Sequence, residues 1–183
     1  MGISDSTKLR SVVSDLNKIQ NSIINLYWSV FSTVTGFNDT FTDRFDTQTG
    51  IDQSNSNYVF DNVNQCVVKP SLTNLVITTV TWECSQINPN QAYVVIEIET
   101  SDEFQPGVDI IIKISTNDGD SYTTITSLSI YQIVDITSYN KRYYIRGDVP
   151  DLPNLNNNQI KSTVICSLTK NIKLHGLATG VSY

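Results

Sequence analysis

The sequence has 183 residues, of which 39% are hydrophobic and 16% charged, and its formal net charge is −6 at pH 7. Lys and Arg are scattered, so the chain lacks the basic surface that nucleic-acid binding requires, and anionic membranes should repel it. No stretch approaches the roughly 18 apolar residues of a membrane-spanning helix, so we expect no membrane insertion. The first residues also lack the charged and then apolar pattern of a secretory signal peptide.

Residues 1–36 are predicted to form one long α-helix that ends at Gly36, a residue suited to the position after a helix. Apolar residues recur with unbroken 3-4 spacing, which is the pattern of a coiled-coil seam. We expect this seam to pack against other copies or another protein, with folding back onto the chain's own sheet as the alternative. The seam residues are Leu9, Val12, Leu16, Ile19, Ile23, Leu26 and Val30.

Residues 37–57 are predicted to form a connector, because aromatic residues alternate there with acidic ones. We expect it to cross the surface of the domain and to be anchored by Phe41, Phe45 and Ile51.

Residues 58–183 are predicted to form an antiparallel β-sandwich of the jelly-roll type. Apolar residues alternate with polar ones in short runs, and the runs are separated by turn residues such as Asn88-Pro89-Asn90. No helical pattern lies between the strands, which argues against a parallel α/β sheet. The predicted strands are residues 58–63, 66–68, 75–82, 92–100, 108–115, 121–126, 130–136, 142–147, 160–168, 172–174 and 177–182.

Three cysteines, Cys66, Cys84 and Cys166, lie in or beside apolar runs. Their number is odd and their spacing does not form a disulfide framework, so we interpret them as buried free thiols. This usage is typical of a protein that folds in a reducing cytoplasm.

Nucleophilic catalysis is disfavoured, because His175 is the single histidine and no nucleophile motif accompanies it. We interpret His175 as a half-buried sheet residue, and we expect no enzymatic activity and no cofactor.

Two acidic loops could offer oxygen ligands to calcium, but solvated loops are the preferred interpretation and no metal site is predicted. The residues concerned are Asp39, Asp43 and Asp46 in one loop, and Asn117, Asp118 and Asp120 in the other.

Residues 115–122 carry the sharpest local motif, an Asp-Gly pair between two alternating runs, which predicts a β-hairpin with a two-residue turn. The segment resembles a degenerate Asp-box, a hairpin of sialidases and other β-proteins. Because that motif is structural, it does not imply glycosidase activity.

Aromatic residues on strands could stack on sugar rings, although such residues more often belong to a core. The candidates for glycan contact are Tyr139, Tyr143 and Tyr144, together with Trp82.

Several segments, in their order along the chain, resemble a linker and strand pattern common in virion proteins of tailed bacteriophages. The pattern begins with an acidic-aromatic stretch and a Ser/Asn-rich run, continues with paired strands and a turn before an aromatic residue, and closes with two strands. The matching segments are residues 39–61, 91–97, 108–122, 144–149 and 170–176, the last of which ends in Leu-His-Gly.

The resemblance implies a β-sandwich module of a tail fibre, tail-associated protein or head appendage, usually a homotrimer, with no catalytic residues. Because the chain has no long fibre shaft, we expect a short trimeric fibre or a tail-associated appendage or connector. A capsid decoration protein of the head-fibre or cement kind, and a glycan-binding receptor-recognition module, are the alternatives. The expected partners are other copies, other virion proteins and a host-surface glycan, and the expected location is the virion after synthesis in the host cytoplasm.

Overall fold

A computed structural model describes residues 38–135 and 140–183 of the chain, without the side chains of residues 132–135. The predicted N-terminal helix with its seam, and Tyr139, lie outside the described residues. The described part is mainly β, as predicted, with twelve strands. They are β1 (Asp39–Asp43), β2 (Val59–Asp61), β3 (Cys66–Val68), β4 (Leu75–Thr78), β5 (Trp82–Glu83), β6 (Gln91–Thr100), β7 (Ile110–Ser115), β8 (Thr123–Ile125), β9 (Leu128–Asp135), β10 (Lys141–Val149), β11 (Gln159–Cys166) and β12 (Ile172–Ser182).

The strands form two antiparallel sheets in a sandwich-like arrangement. The larger sheet has the order β2-β3-β12-β6-β10-β9, and β1 pairs with one end of β12. The smaller sheet has the order β4-β11-β7-β8, and β5 pairs with the start of β11. Alternating apolar residues of both sheets, such as Ile96, Ile112 and Val164, are fully buried and form one hydrophobic core. No helix of the described residues is long and apolar enough to cross a bilayer.

The predicted connector contributes a strand to the larger sheet. Residues Asp39–Asp43 pair with β12 from Leu177 to Val181. The predicted anchors hold: Phe45 is 0% and Ile51 3% exposed, and Phe41 packs against the core. The segment from residue 38 onward therefore belongs to the β-domain, because Phe41 on β1 and Phe45 just after it both contact the core.

The last two predicted strands, 172–174 and 177–182, are one strand interrupted by a bulge. β12 pairs with β6 along its whole length, and the register shifts between Leu174 and Gly176. A bulge adds one residue and turns the following side chains to the other face. The extra residue here is His175.

The Asp-Gly motif forms a turn of the predicted kind inside a longer loop. Asp118 and Gly119 both have positive φ, at 59° and 89°, and the Asp120 amide donates to the Asn117 carbonyl at 3.2 Å. These values fit a type I′ turn. Strand pairing stops at Ile114 and Thr123, however, so the loop is longer than the predicted two-residue hairpin. In place of ladder bonds, the Ser115 hydroxyl accepts from the Gly119 amide and Asn117 Oδ1 accepts from the Ser121 amide.

All three cysteines are free and buried, as predicted. Burial raises the pKa of the Cys66 thiol to about 11 and that of Cys166 to about 12. Thiols with raised pKa values are poor nucleophiles.

Candidate functional site

The two neighbouring tyrosines of β10 point to opposite faces of the larger sheet. Tyr143 packs at the margin of the core, and Phe104 contacts its ring. Tyr144 points to the other face and is 0% exposed, with its hydroxyl 3.5 Å from Glu97 Oε2. Burial raises the pKa of Tyr144 far above the ordinary value for a phenol. Tyr144 thus offers no exposed ring to a sugar, whereas Tyr143 borders an open cleft.

The cleft lies beside the start of β10 and the loop that follows β6. Its volume is about 610 Å³, and Tyr143 and Ile130 line it. Further along β10, the two sheets are in close contact: a Cβ atom at Gly147 would lie 2.6 Å from the side chain of Ile125 in the smaller sheet. Ile130, on the edge strand β9, is 44% exposed.

Two aromatic rings form the apolar wall of the cleft. The centroids of Phe104 and Tyr143 are 5.2 Å apart and their planes are inclined by 79°. This edge-to-face arrangement is favourable between aromatic rings. It fixes the ring of Tyr143 from a loop that follows β6, and both rings contribute to the lining.

Polar groups complete the lining, and hydrogen bonds hold their loop in place. The loop carries Asp102 and Glu103, and Lys141 comes from β10. Asp102 Oδ2 accepts from the Asn171 amide at 2.6 Å, and Lys170 donates to the carbonyl of Glu103 at 2.6 Å. The cleft thus combines an apolar ring surface with hydrogen-bond acceptors and one ammonium donor, on a loop fixed to its neighbour.

On the opposite face of the same sheet lies a buried charged cluster, which no sequence pattern marked. Arg142 Nη1 lies 2.9 Å from Glu97 Oε1, and Arg142 Nη2 lies 3.3 Å from Glu99 Oε2. Lys173 Nζ lies 3.0 Å from Glu99 Oε1, and His175 Nε2 lies 3.2 Å from Glu99 Oε2. Glu97 is 0% and Glu99 6% exposed. The cluster contains a base and carboxylates, but its ion pairs engage each of them.

His175 is therefore a sheet residue, as predicted, but it is buried rather than half-buried, and it has a specific electrostatic role. Its hydrogen bond is the main cause that holds the pKa of Glu99 well below the ordinary value, followed in the same direction by the contact with Lys173. A depressed pKa adds stability above the ordinary pKa of a glutamate, about 4.3, and this contribution disappears as pH falls through the folded-state pKa.

We expect His175→Gln to fold but to be less stable by about 1–2 kcal/mol at pH 7, because the amide does not reproduce the contact of the imidazole with Glu99. The difference from the wild type should be largely retained at pH 4, because the pKa of Glu99 in the folded wild type lies well below its ordinary value and its contribution is lost only at lower pH. Urea unfolding at both pH values measures this, with Glu103→Gln as a control on an exposed carboxylate. A difference that vanishes at pH 4 would contradict the assigned role.

The other predicted candidates have structural partners. Trp82 stacks on Phe41, with ring centroids 6.1 Å apart and planes inclined by 14°. Asp39 Oδ2 accepts from the Ser85 hydroxyl at 2.7 Å and from Tyr183 at 2.5 Å, which lowers the pKa of Asp39.

Neither of the two loops considered for calcium shows a metal-ligand cluster. Asp118 pairs with Lys161 at 3.2 Å, and Asn117 Oδ1 accepts from Ser121. Burial raises the pKa of Asp43, whose carboxylate accepts from the Phe45 amide at 2.8 Å. Among the described residues, no group of three or more His, Cys, Asp or Glu side chains is placed to hold a metal ion.

Sequence reasoning missed Phe104, the second ring of the cleft wall, as well as Ile130 and the polar residues of the lining. Phe104 lies between turn residues, in a segment with no alternation, so no periodic signal marks it. Its contact with Tyr143 depends on the path of a loop, which local pattern does not specify.

Comparison with known proteins gives a likeness of fold alone. The sequence matches no family model, and no curated protein matches it. Among solved structures, a carbohydrate-binding module of family 29, a mutant of CBM29-2 complexed with cellulohexaose, is similar with a TM-score of 0.37 and 8% identity over 78% of this chain and 92% of that one. CBM35 from Cellvibrio japonicus Abf62 has a TM-score of 0.34 and 7% identity over 79% of this chain and 95% of that one.

A family GH115 4-O-methyl-α-glucuronidase, BtGH115A, has a TM-score of 0.37 and 8% identity over 78% of this chain. This chain spans 17% of the length of that enzyme. At these TM-scores and identities the likeness carries no function over to this chain, so function has to be argued from the cleft itself.

Proposed function

We propose that the β-domain is a carbohydrate-binding module without catalytic activity, and that the Phe104–Tyr143 cleft holds a sugar. The observation that supports this most is the pairing of a fixed aromatic wall with polar groups in one open cleft. Binding sites for small ligands commonly combine apolar and aromatic walls with a few placed polar groups. A sugar ring offers an apolar face to Tyr143 and hydroxyl groups to Asp102, Glu103 and Lys141.

The arrangement of acids supports binding rather than hydrolysis. Glycosidases commonly use two carboxyl groups that flank the scissile bond. In this cleft the two carboxylates belong to consecutive residues, Asp102 and Glu103, of a single loop. On the other face of the sheet, Glu97 and Glu99 are buried in ion pairs with Arg142.

We expect Tyr143→Ala to lose at least tenfold in affinity for an oligosaccharide that the wild type binds, which corresponds to about 1.4 kcal/mol. The matched control is Tyr131→Ala. Tyr131 is 45% exposed and lies opposite Tyr144 in the register, on the face away from the cleft. Calorimetric titration with neutral and acidic hexasaccharides measures both variants.

Far-UV circular dichroism and urea unfolding would show that Tyr143→Ala is folded, and Phe104→Ala gives a second test of the same wall. Equal affinity of the wild type and both cleft variants would overturn the assignment of the cleft. Release of new reducing ends from a polysaccharide would overturn the claim of a non-catalytic module.

The virion role stays a prediction from sequence. Its trimer seam, from Leu9 to Val30, lies outside the described residues, and the assignment to a fibre, an appendage or a capsid decoration rests on the resemblance. A glycan-binding domain is compatible with a virion component that contacts a host surface, so the two proposals do not compete.

A further inference from the structure

A second polar groove lies on the outer face of the smaller sheet. Its volume is about 270 Å³, and it shares no lining residue with the Phe104–Tyr143 cleft. We call it the Lys113 groove; its walls include Lys113, Tyr122, Thr163, Lys161 and Asp118.

The strand register places Lys113 in the middle of this face. Lys113 lies opposite Thr163 of β11 on one side and Thr124 of β8 on the other. Its neighbours along the strand, Ile112 and Ile114, are buried in the core. Lys113 therefore points outward, with a polar residue on each side.

Lys113 differs from the other lysine of the groove in its partners. Lys161 Nζ lies 3.2 Å from both Asp52 and Asp118. Lys113 is only partly exposed, and within the described ranges 38–135 and 140–183 it has neither an ion pair nor a side-chain hydrogen bond. An ammonium group has three N–H donors, so this one retains its full capacity for a ligand oxygen.

The charges around the groove balance. Two ammonium groups, Lys113 and Lys161, face two carboxylates, Asp52 and Asp118. A strongly anionic or cationic ligand gains little from such a set, whereas an uncharged polyol finds both donors and acceptors there.

Tyr122 supplies an aromatic surface beside these groups. It is 38% exposed, and its hydroxyl would lie 3.0 Å from a Cβ atom at Gly119, so the side chain lies over the turn. A tyrosine combines an apolar ring with a polar tip. The groove thus places a ring surface next to the unpartnered ammonium group.

We propose that the Lys113 groove is a second binding site for an uncharged saccharide, which would make the domain bivalent. The proposal shares the ligand class of the proposed function but depends on separate residues. Two separate sites on one domain can engage two segments or two chains of a polysaccharide, and such linkage raises the apparent affinity for the polymer above that for a short oligosaccharide.

The test is calorimetric titration of the full chain with neutral hexaoses, namely cello-, manno- and xylohexaose, and with a galacturonate hexamer. We expect two neutral hexaose molecules to bind per chain, and one after Tyr122→Ala. Lys113→Met should lower the affinity of the groove for the neutral hexaose at least tenfold. Tyr131→Ala and Lys69→Met, which alter residues outside both sites, should behave as the wild type, and Tyr122→Phe should retain binding.

The outcomes separate the two proposals. The wild type could instead bind a single hexaose that Tyr143→Ala abolishes. If Tyr122→Ala and Lys113→Met leave that binding unchanged, the groove would be overturned and the cleft kept. If Tyr122→Ala abolishes all binding and Tyr143→Ala leaves binding unchanged, the result would support the groove and overturn the cleft. A stronger interaction with the galacturonate hexamer at the groove would overturn the inferred neutral ligand, and no binding to any probe would overturn both sites.

Discussion

Replacing Arg142 with Met should lower the free energy of unfolding by about 3–5 kcal/mol, the cost typical of removing one partner from a buried ion pair. Arg142 contacts two carboxylates at once, and Glu97 is 0% exposed. Methionine retains much of the side-chain volume, so the decrease in the free energy of unfolding should result from the missing charge rather than from a cavity. Urea unfolding at pH 7, followed by tryptophan fluorescence, measures it.

The control for Arg142→Met is Lys170→Met, which removes a cation 3.8 Å from Asp109 and its hydrogen bond to the carbonyl of Glu103, at a more exposed position. Exposed ion pairs contribute little and one hydrogen bond about 1 kcal/mol, so this variant should lose less than about 2 kcal/mol. The double variant Arg142→Met/Glu97→Leu should recover part of the loss, because it replaces a charged pair with an apolar one. Equal stability of Arg142→Met and the wild type would show that the cluster does not depend on this arginine.

Gly180→Val should cost about 3 kcal/mol through overpacking. A Cβ at Gly180 would lie within 2.9 Å of three atoms of the Tyr93 side chain, including its hydroxyl oxygen. Tyr93 is 1% exposed, and the guanidinium of Arg146 lies 5.3 Å from its ring centroid, so the ring has little freedom to move.

Thermal and urea unfolding of Gly180→Val measure the effect, and Gly180→Ala should give a smaller loss of the same sign. The compensating double variant Gly180→Ala/Tyr93→Leu should be less destabilised than the sum of its single changes, because the clash partner is removed. Strict additivity of the two changes would contradict the packing explanation.

Alternation predicted most strands correctly, because it records which residues face the core. In β6, the run Ile96-Glu97-Ile98-Glu99 places the isoleucines in the core, as the pattern requires. The same alternation predicts an exposed polar face, yet Glu97 and Glu99 are buried. Arg142 forms ion pairs with both carboxylates from a neighbouring strand more than 40 residues away, and local sequence does not specify such a neighbour.

The candidate site was predictable only in part, for a similar reason. Tyr143 was a candidate because it is an aromatic residue on a strand. Tyr144 was a candidate for the same reason, but it is buried on the other face of the larger sheet. Adjacent strand residues alternate between faces, so the choice between them depends on where the core lies. Phe104 and Lys113 acquire their roles from a loop path and from cross-strand neighbours, neither of which a periodic pattern encodes.

The position of β12 has a consequence for how the domain is assembled during synthesis. This strand, near the end of the chain, is central to the larger sheet and pairs with β6, β3 and β1. Asp39 of β1 meets Val181, more than 140 residues later, so β1 has no strand partner within the described residues until β12 has left the ribosome. Contacts of such long sequence separation slow folding. The nascent chain must therefore carry β1 and one side of β6 unpaired until β12 has been made, a period in which sheet edges are exposed to aggregation and chaperones act.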